Sequence, residues 1–391
     1  MISQPDNRRI PRILPFIAWC IWAIGFPTVY YRQLWRVFAL GPLAWAKENY
    51  SLRVDSILWH RMVSGPAYWV LSAFHEAFLR AVYAIWGAAL ILATAHILGG
   101  WILSLLHWKP AEKPERLFFR LATGLGAFAY LLLGLAALSA YRVQSIQLLI
   151  AIILSGGASQ GLYRYFRDKP PVSKTFFETK RLLPGARVLV KSMGDVLKEN
   201  RIWIFIVSVA IVIALIGSLA PEIEYDALWY HLWLPKVWLQ QGGAVDIVEE
   251  YISLYPLTWE LVYGAGLALG GAGAAKLLHF ACLPLIALLV GTYTRRYLPS
   301  VSPWIAGALF ITIPTILWEA TTAYIDLALT LHIVAAMYTL VKYLEGKQGP
   351  WLVLSGIHLG LALATKHLAL IFLALLASML ALSLWRESRS L

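Results

Sequence analysis

The chain has 391 residues, 60% of them hydrophobic and only 14% charged, with a mean hydropathy of +0.66 and a formal net charge of +12. A soluble domain carries about a quarter charged residues, so this composition excludes an ordinary soluble fold and points to an integral membrane protein of the all-α class, a polytopic helical bundle. The positive charge would suggest nucleic acid in a soluble protein. Here it gathers in particular loops, as in the cytoplasmic loops of membrane proteins, and no nucleic-acid partner is implied.

Apolar runs predict about ten membrane helices, at roughly 13–30, 82–106, 117–140, 145–163, 202–219, 275–293, 303–318, 328–342, 351–366 and 368–385. The first follows "NRRIPR" without a small-residue cleavage site, which favours an uncleaved helix over a signal peptide. Residues 31–80 are rich in Trp and Tyr but mix charges of both signs, and they fit no single element. The two cysteines, Cys20 and Cys282, both lie in apolar runs, so no disulfide framework is expected.

Basic residues orient the spans. Segment 164–201 carries Arg164, Arg167, Lys169, Lys174, Lys180, Arg181, Arg187, Lys191, Lys198 and Arg201 against four acids. "KPAEKPER" (109–116), Arg295–Arg296, 342–347 and "RESR" (386–389) fall on the same side if the spans alternate, and that side should be cytoplasmic. The opposite side receives 220–274, with Glu222, Glu224, Asp226, Asp246, Glu249, Glu250 and Glu260 against Lys236, together with "EATTAYID" (319–326) and the turn at Lys366 and His367. Within 220–274, "DALWYHLWLPKVWLQ" and "PLTWELVYGAGLALG" are too short or too interrupted to span, and fit helices lying in the interface.

Several residues on this side carry chemistry. Glu224 and Asp226 form an acid-x-acid pair just past a membrane span. They suit a solvated loop whose carboxylates favour the following helix dipole, or a general base toward a hydroxyl or a ligand for a cation. Asp326 opens an apolar run, either as an N-cap or as an ionisable group placed at membrane depth for function. Lys366 ends a run beginning at Trp351 whose sixteen residues rise ~24 Å. It is either a snorkelling lysine or a cation for a phosphate at headgroup level. His231 lies five residues beyond Asp226, which does not imply a His–Asp dyad. "GGAGAAK" (270–276) has the wrong spacing for a phosphate loop, and no zinc pattern occurs.

Three stretches, "PEIEYDALWYHLWLPK", "TIPTILWEATTAYIDLALT" and "GIHLGLALATKHLAL", resemble in this order the outer-loop and helix motifs of GT-C superfamily membrane glycosyltransferases. The likeness is to bacterial members related to protein O-mannosyltransferases and lipid A aminoarabinose transferases, and it covers roughly 202–385. It implies a GT-C-like core at 202–391, preceded by a three-helix extension with a basic linker (81–201) and an N-terminal extension (1–80) with one candidate membrane helix. It further implies a polyprenyl-phosphate-linked sugar as donor, inverting transfer to a lipid, glycan or protein hydroxyl, and a site on the extracytoplasmic side of the plasma membrane. Asp226 would be the base and Glu224 the alternate, with Asp326 orienting the acceptor or Asp226. Lys366, Lys236 and His231 would meet the donor phosphate.

No cofactor is assigned, because metal dependence varies across the superfamily, and a divalent cation is left open. The family core usually continues beyond the point reached at Leu391, so a shortened form, a fragment and a subunit completed by membrane protein partners are all expected readings. The competing function is a non-catalytic subunit of a larger membrane assembly. A transporter fits less well, since the ionisable groups gather at one face.

Overall fold

Lipid offers no partner to an unpaired N–H or C=O, so apolar runs of this length fold as helices. The computed structural model describes residues 66–108, 112–167, 196, 198–245, 247 and 250–390, with side chains from Ala77 onward, and every regular element among them is helical. The predicted span at 13–30, residues 31–65, the basic linker from 168 to 195, Asp246 and Glu249 lie outside the described residues. The chain divides into two compact units: Arg80–Ile311 with Ile316–Leu391, and Met1–Leu79 with Thr312–Thr315. The first of these holds the candidate site.

In chain order the helices are α1 (Pro66–Leu105), α2 (Lys113–Ala137), α3 (Val143–Arg167), α4 (Lys198–Leu219), α5 (Trp233–Gln241), α6 (Thr258–Tyr297), α7 (Pro303–Ile311), α8 (Pro314–Glu319), α9 (Asp326–Gly346), α10 (Gly349–Thr365) and α11 (Ala369–Ser390). Seven helices among the described residues are long and apolar enough to cross a membrane, and α10 is a shorter apolar helix. The protein is therefore a multi-pass helical membrane protein.

Two predicted elements take a different form. α6 is not one straight rod, because Gly271 inside it has φ 69° and ψ −166°. A Cβ built on Gly266 would lie 2.9 Å from the backbone nitrogen of Ala275. Nine residues along a straight helix are about 13 Å apart, so the chain folds back at Gly271 and the segments on either side form an antiparallel hairpin. The first arm, expected in the interface, is instead buried continuously from Trp259 to Gly266. Its small residues let neighbours close in, and the Tyr141 hydroxyl donates to the Leu261 carbonyl at 2.6 Å.

The predicted span at 303–318 is likewise broken, into α7 and α8. Pro314 has no N–H to give and pushes the residue before it out of the helical region, so neither half reaches spanning length.

The two ends of the bundle can be told apart by their contacts. At one end Arg295 pairs with Glu112, Arg296 meets Glu345 at 3.4 Å, and the Tyr338 hydroxyl donates to Glu115 at 2.7 Å. At the other end the α2–α3 turn docks through the Tyr141 N–H to the Gly242 carbonyl at 2.7 Å. The loops at 220–231 and 319–326 and the end of α10 meet at this second end too. α1 and α2 cross at glycines: a Cβ on Gly124 would sit 1.7 Å from the Ala95 carbonyl oxygen. Such close backbone contact suits lipid, where packing rather than water expulsion holds helices together.

The backbone at Gly271 falls in a region that essentially only glycine occupies. Gly271→Ala is expected to destabilise the protein by about 1–3 kcal/mol. Gly134→Ala, on an open helical face with nothing within 4 Å, should be neutral or slightly stabilising. Thermal unfolding of both variants in the same detergent tests the hairpin, and equal melting temperatures would count against it.

Candidate active site

The segment after α4 turns sharply, and one carboxylate organises it. Glu222 Oε1 accepts from the N–H groups of Ile223 (2.9 Å) and Glu224 (3.2 Å), while Oε2 accepts from the Ala323 N–H at 2.8 Å. Lys276, on the second arm of α6, donates to the Ala220 carbonyl at 2.7 Å and lies 4.0 Å from Glu222 Oε2. His279, one turn further on, contacts the Thr322 carbonyl through Nδ1 and accepts from the Leu327 N–H through Nε2, both at 3.0 Å. Those two partners fix the neutral tautomer protonated at Nδ1. Two loops about 100 residues apart in sequence are thereby clamped to one helix.

Residues 227–231 then form a single π-helical turn, with the Leu232 N–H bonded to the Ala227 carbonyl. Such turns recur at functional sites because the extra residue re-aims side chains. Asp226 precedes the turn, half-buried, and its carboxylate makes no capping hydrogen bond. The turn carries His231 inward, where Nδ1 lies 2.7 Å from Glu260 Oε1 and the residue is 2% exposed. Glu260 Oε2 has no hydrogen-bond partner among the described residues. The Tyr230 ring lies against His231, with centroids 4.0 Å apart.

The remaining groups converge on two phenols. Burial pushes the Tyr230 hydroxyl up, reinforced by the charges of Asp226, Glu260 and Asp326. Burial likewise raises Tyr324, reinforced by Glu224, Asp226, Glu319 and Glu222. The two phenols thus stand among carboxylates from three separate segments. Glu224 accepts from the Trp318 indole N–H at 3.2 Å. Its carboxyl is raised by burial and by Glu222, against the opposing effects of Trp318 and Lys276. Glu319 is half-buried, with Oε2 lacking a hydrogen-bond partner among the described residues. Burial first, then the Asp326 charge, pushes Glu319 up to about 8, while Lys366 pulls the other way.

Asp326 is the first residue of α9, yet Ile325 is the cap and no side-chain capping bond forms. Its partner is Lys366, just past the end of α10, whose Nζ donates to Oδ1 at 2.9 Å. The Thr258 hydroxyl bonds to the Ala364 carbonyl, which ties the α10 end to the hairpin. His367 packs edge-on against Tyr255.

The structure therefore brings Glu224, Asp226, Asp326 and Lys366 to one end of the bundle. Asp326 meets Lys366, a pairing that was not expected of it. His231 is placed differently from the phosphate-facing position expected: it is buried and committed to Glu260. Lys236 is exposed on α5 and shares no ion pair or hydrogen bond with this cluster among the described residues. Sequence reasoning missed Glu260 as a partner of His231, and also Glu222, Lys276 and Glu319. Of these only Glu319, beside Trp318 in "LWEATTAYID", gave a local signal. Among the described residues no group of three or more His, Cys, Asp or Glu is gathered to hold a metal ion.

Residues 258–389 match the family model for dolichyl-phosphate-mannose-protein mannosyltransferase. The match supports a GT-C membrane glycosyltransferase related to the protein O-mannosyltransferases. It takes in Glu260, Lys276, Glu319, Asp326 and Lys366, and stops short of the acidic stretch at 222–231. An uncharacterized protein of Shigella flexneri is 34% identical over 126 residues, an alignment covering 31% of this chain and 61% of that protein. No solved structure matches.

Glu319 sets a pH dependence whose sign follows from its position. A carboxyl whose folded value lies above its unfolded one contributes stability that is complete below the unfolded value, near 4.5, and is lost as pH rises through about 8. Glu319→Gln removes that ionisation. The variant should lose less melting temperature than wild type between pH 6 and about 9 in matched detergent. Parallel curves would show that the wild-type Glu319 carboxyl is ionised across this range in the folded as well as the unfolded protein.

Proposed function

We propose that this protein transfers a sugar from a polyprenyl phosphate donor to an acceptor hydroxyl, at the extracytoplasmic face of the plasma membrane, with inversion. The observation that carries this reading is the pairing of Lys366 with Asp326 at the end of the bundle where the loop carrying Asp226 is tied to the loop before α9 through Glu222 and the Ala323 N–H. The family match of residues 258–389 supplies the chemistry class. The basic residues of the opposite end favour its being cytoplasmic.

In this reading the acceptor oxygen attacks the anomeric carbon as the bond from that carbon to the phosphate oxygen breaks. Asp226 takes the acceptor proton, since its carboxylate is not engaged in capping the turn it precedes. General-base catalysis of this kind contributes typically 10²–10⁴-fold. Negative charge grows on the departing polyprenyl phosphate, and Lys366 is the cation placed to meet it. Asp326 holds Lys366 before the donor arrives. Tyr230 and Tyr324, kept protonated by burial and by their acidic neighbours, are hydroxyl donors for sugar or phosphate oxygens. His231 and Glu260 fix the π turn from beneath. The acceptor is a lipid, glycan or protein hydroxyl.

Transfer of labelled sugar from a panel of polyprenyl phosphate donors in reconstituted membranes tests the reading. Asp226→Asn should lower turnover by roughly 10²–10⁴-fold, and Lys366→Gln by about 10²–10³-fold, with Lys366→Arg partly restored. Full activity in Asp226→Asn would transfer the base role to Glu224. Absence of turnover with every donor, in a preparation that retains other subunits, would favour the non-catalytic assembly reading.

A further inference from the structure

At the end of the bundle away from the candidate site, α1, α2 and α3 line an open cavity of about 450 Å³. It lies wholly outside the stretch matched by the mannosyltransferase family. The charged groups in its lining are basic, Arg120 of α2 and Arg164 of α3, joined by His96 and Ser104 of α1 and Gln160 of α3. Arg120 Nη1 stands 3.0 Å from His96 Nε2, and the charges of Arg116 and Arg164 both bear on Arg120. Among the described residues the ion pairs at this end are Arg295 with Glu112, Arg296 with Glu345 and Lys347 with Glu387. None of them involves Arg120 or Arg164. Among the described residues no carboxylate pairs with Arg120 or Arg164, so like charges stand together in an arrangement that an anion would relieve.

Depth and surroundings narrow the anion. Arg120 is seven residues into α2 and His96 nine residues from the end of α1, so the polar floor lies roughly 10–13 Å from the helix ends. Arg164 is within one turn of the α3 terminus. The remaining lining is Ile97, Leu105 and the Trp101 ring, whose indole N–H donates to Gln160 at 3.1 Å. The α3 wall is exposed and continues into exposed Leu162, Tyr163 and Phe166, a surface that suits lipid. Glycines open the space: a Cβ on Gly161 would meet nothing within 4 Å. A row of cations that runs from Arg164 near the end of α3 down to Arg120, beside an apolar wall, matches a molecule with a phosphate at one end and a hydrocarbon chain at the other.

We propose that this cavity binds the phosphate headgroup of an anionic phospholipid from the leaflet at the basic end. Arg120 and Arg164 pair with the phosphate, Gln160 supplies a hydrogen bond, and an acyl chain lies along Ile97 and Leu105. The site is separate from the proposed transferase site and does not depend on it.

The test is native mass spectrometry of the full chain in mixed micelles of phosphatidylcholine with phosphatidylglycerol, titrated for the one-to-one lipid adduct. Wild type should retain one phosphatidylglycerol in preference to phosphatidylcholine. Arg120→Gln and Arg164→Gln should each weaken that adduct about fivefold, and the pair roughly 30-fold. Gly161→Leu adds a side chain to the cavity lining, on an exposed helical face and without altering charge, and should weaken the preference while leaving the melting temperature within a few degrees. It keeps the proposal testable should the arginine pair fail to fold. Equal retention of the two lipids by wild type, or an unchanged adduct in Gly161→Leu, would overturn the assignment. So would saturation of the site by inorganic phosphate in a protein that takes up no phosphatidylglycerol.

Discussion

The candidate site rests on one buried carboxylate. Glu222 accepts from three backbone N–H groups, two in its own turn and one from Ala323, and faces Lys276 on the hairpin. A carboxylate this dry, with 3% of its side chain exposed, is tolerable only when its oxygens are satisfied and a cation is near. Meeting that requirement fixes the geometry of everything around it. Once Glu222 is satisfied, the loop after α4 cannot slide relative to the loop before α9. Asp226 and Asp326 are then brought to bear on the same phenol. Breaking such an arrangement from one side leaves an uncompensated buried charge, at a cost of about 3–5 kcal/mol. The clamp is structural, and the groups it aligns are those with chemistry to offer.

The hairpin makes the clamp possible. Because α6 doubles back at Gly271, its two arms present Glu260 and Lys276 at the same end of the bundle, although sixteen residues separate them. The first arm takes the inward face of the π turn through His231. The second takes the loops through Lys276 and His279. A continuous 40-residue helix would carry these groups some 24 Å apart, and the site would have no floor.

What the sequence disclosed follows from which forces are local. Long apolar runs dictate helices in lipid whatever their neighbours, so most spans could be placed from composition alone. Asp326 and Lys366 stood out because an ionisable side chain at the edge of an apolar run is rare. The broken span was legible in principle, since Pro314 sits inside it. The pairing of His231 with Glu260 was not, because the two are 29 residues apart and nothing in either segment signals the π turn that points one at the other. The hairpin was hidden as well: "GLALGGAGAAK" reads as small-residue helix on either side of a corner, and only a positive φ at one glycine distinguishes a fold-back from a continuous rod. Glu222 read as one acid among several, since its worth lies in the backbone of a loop 101 residues away.

The two lysines of the site differ in a way that bears on the proposed chemistry. Lys276 is buried to 3% of its side chain and bonded to a carbonyl, so an incoming anion could not draw it away without exposing Glu222. Lys366 and Asp326 are 35% and 38% exposed, and a solvated ion pair of that kind contributes about 0–1 kcal/mol. A phosphate arriving at headgroup level could therefore exchange places with Asp326 at small cost, and the carboxylate released would remain beside Tyr230. The surplus of acids around this point would repel a phosphate if all were ionised. Burial pushes Glu319 up to about 8, which favours its neutral form near pH 7 and lowers that repulsion where Lys366 must receive the anion. On this reading a site crowded with carboxylates can bind a phosphate donor because its cation is loosely held and one of its acids favours its neutral form.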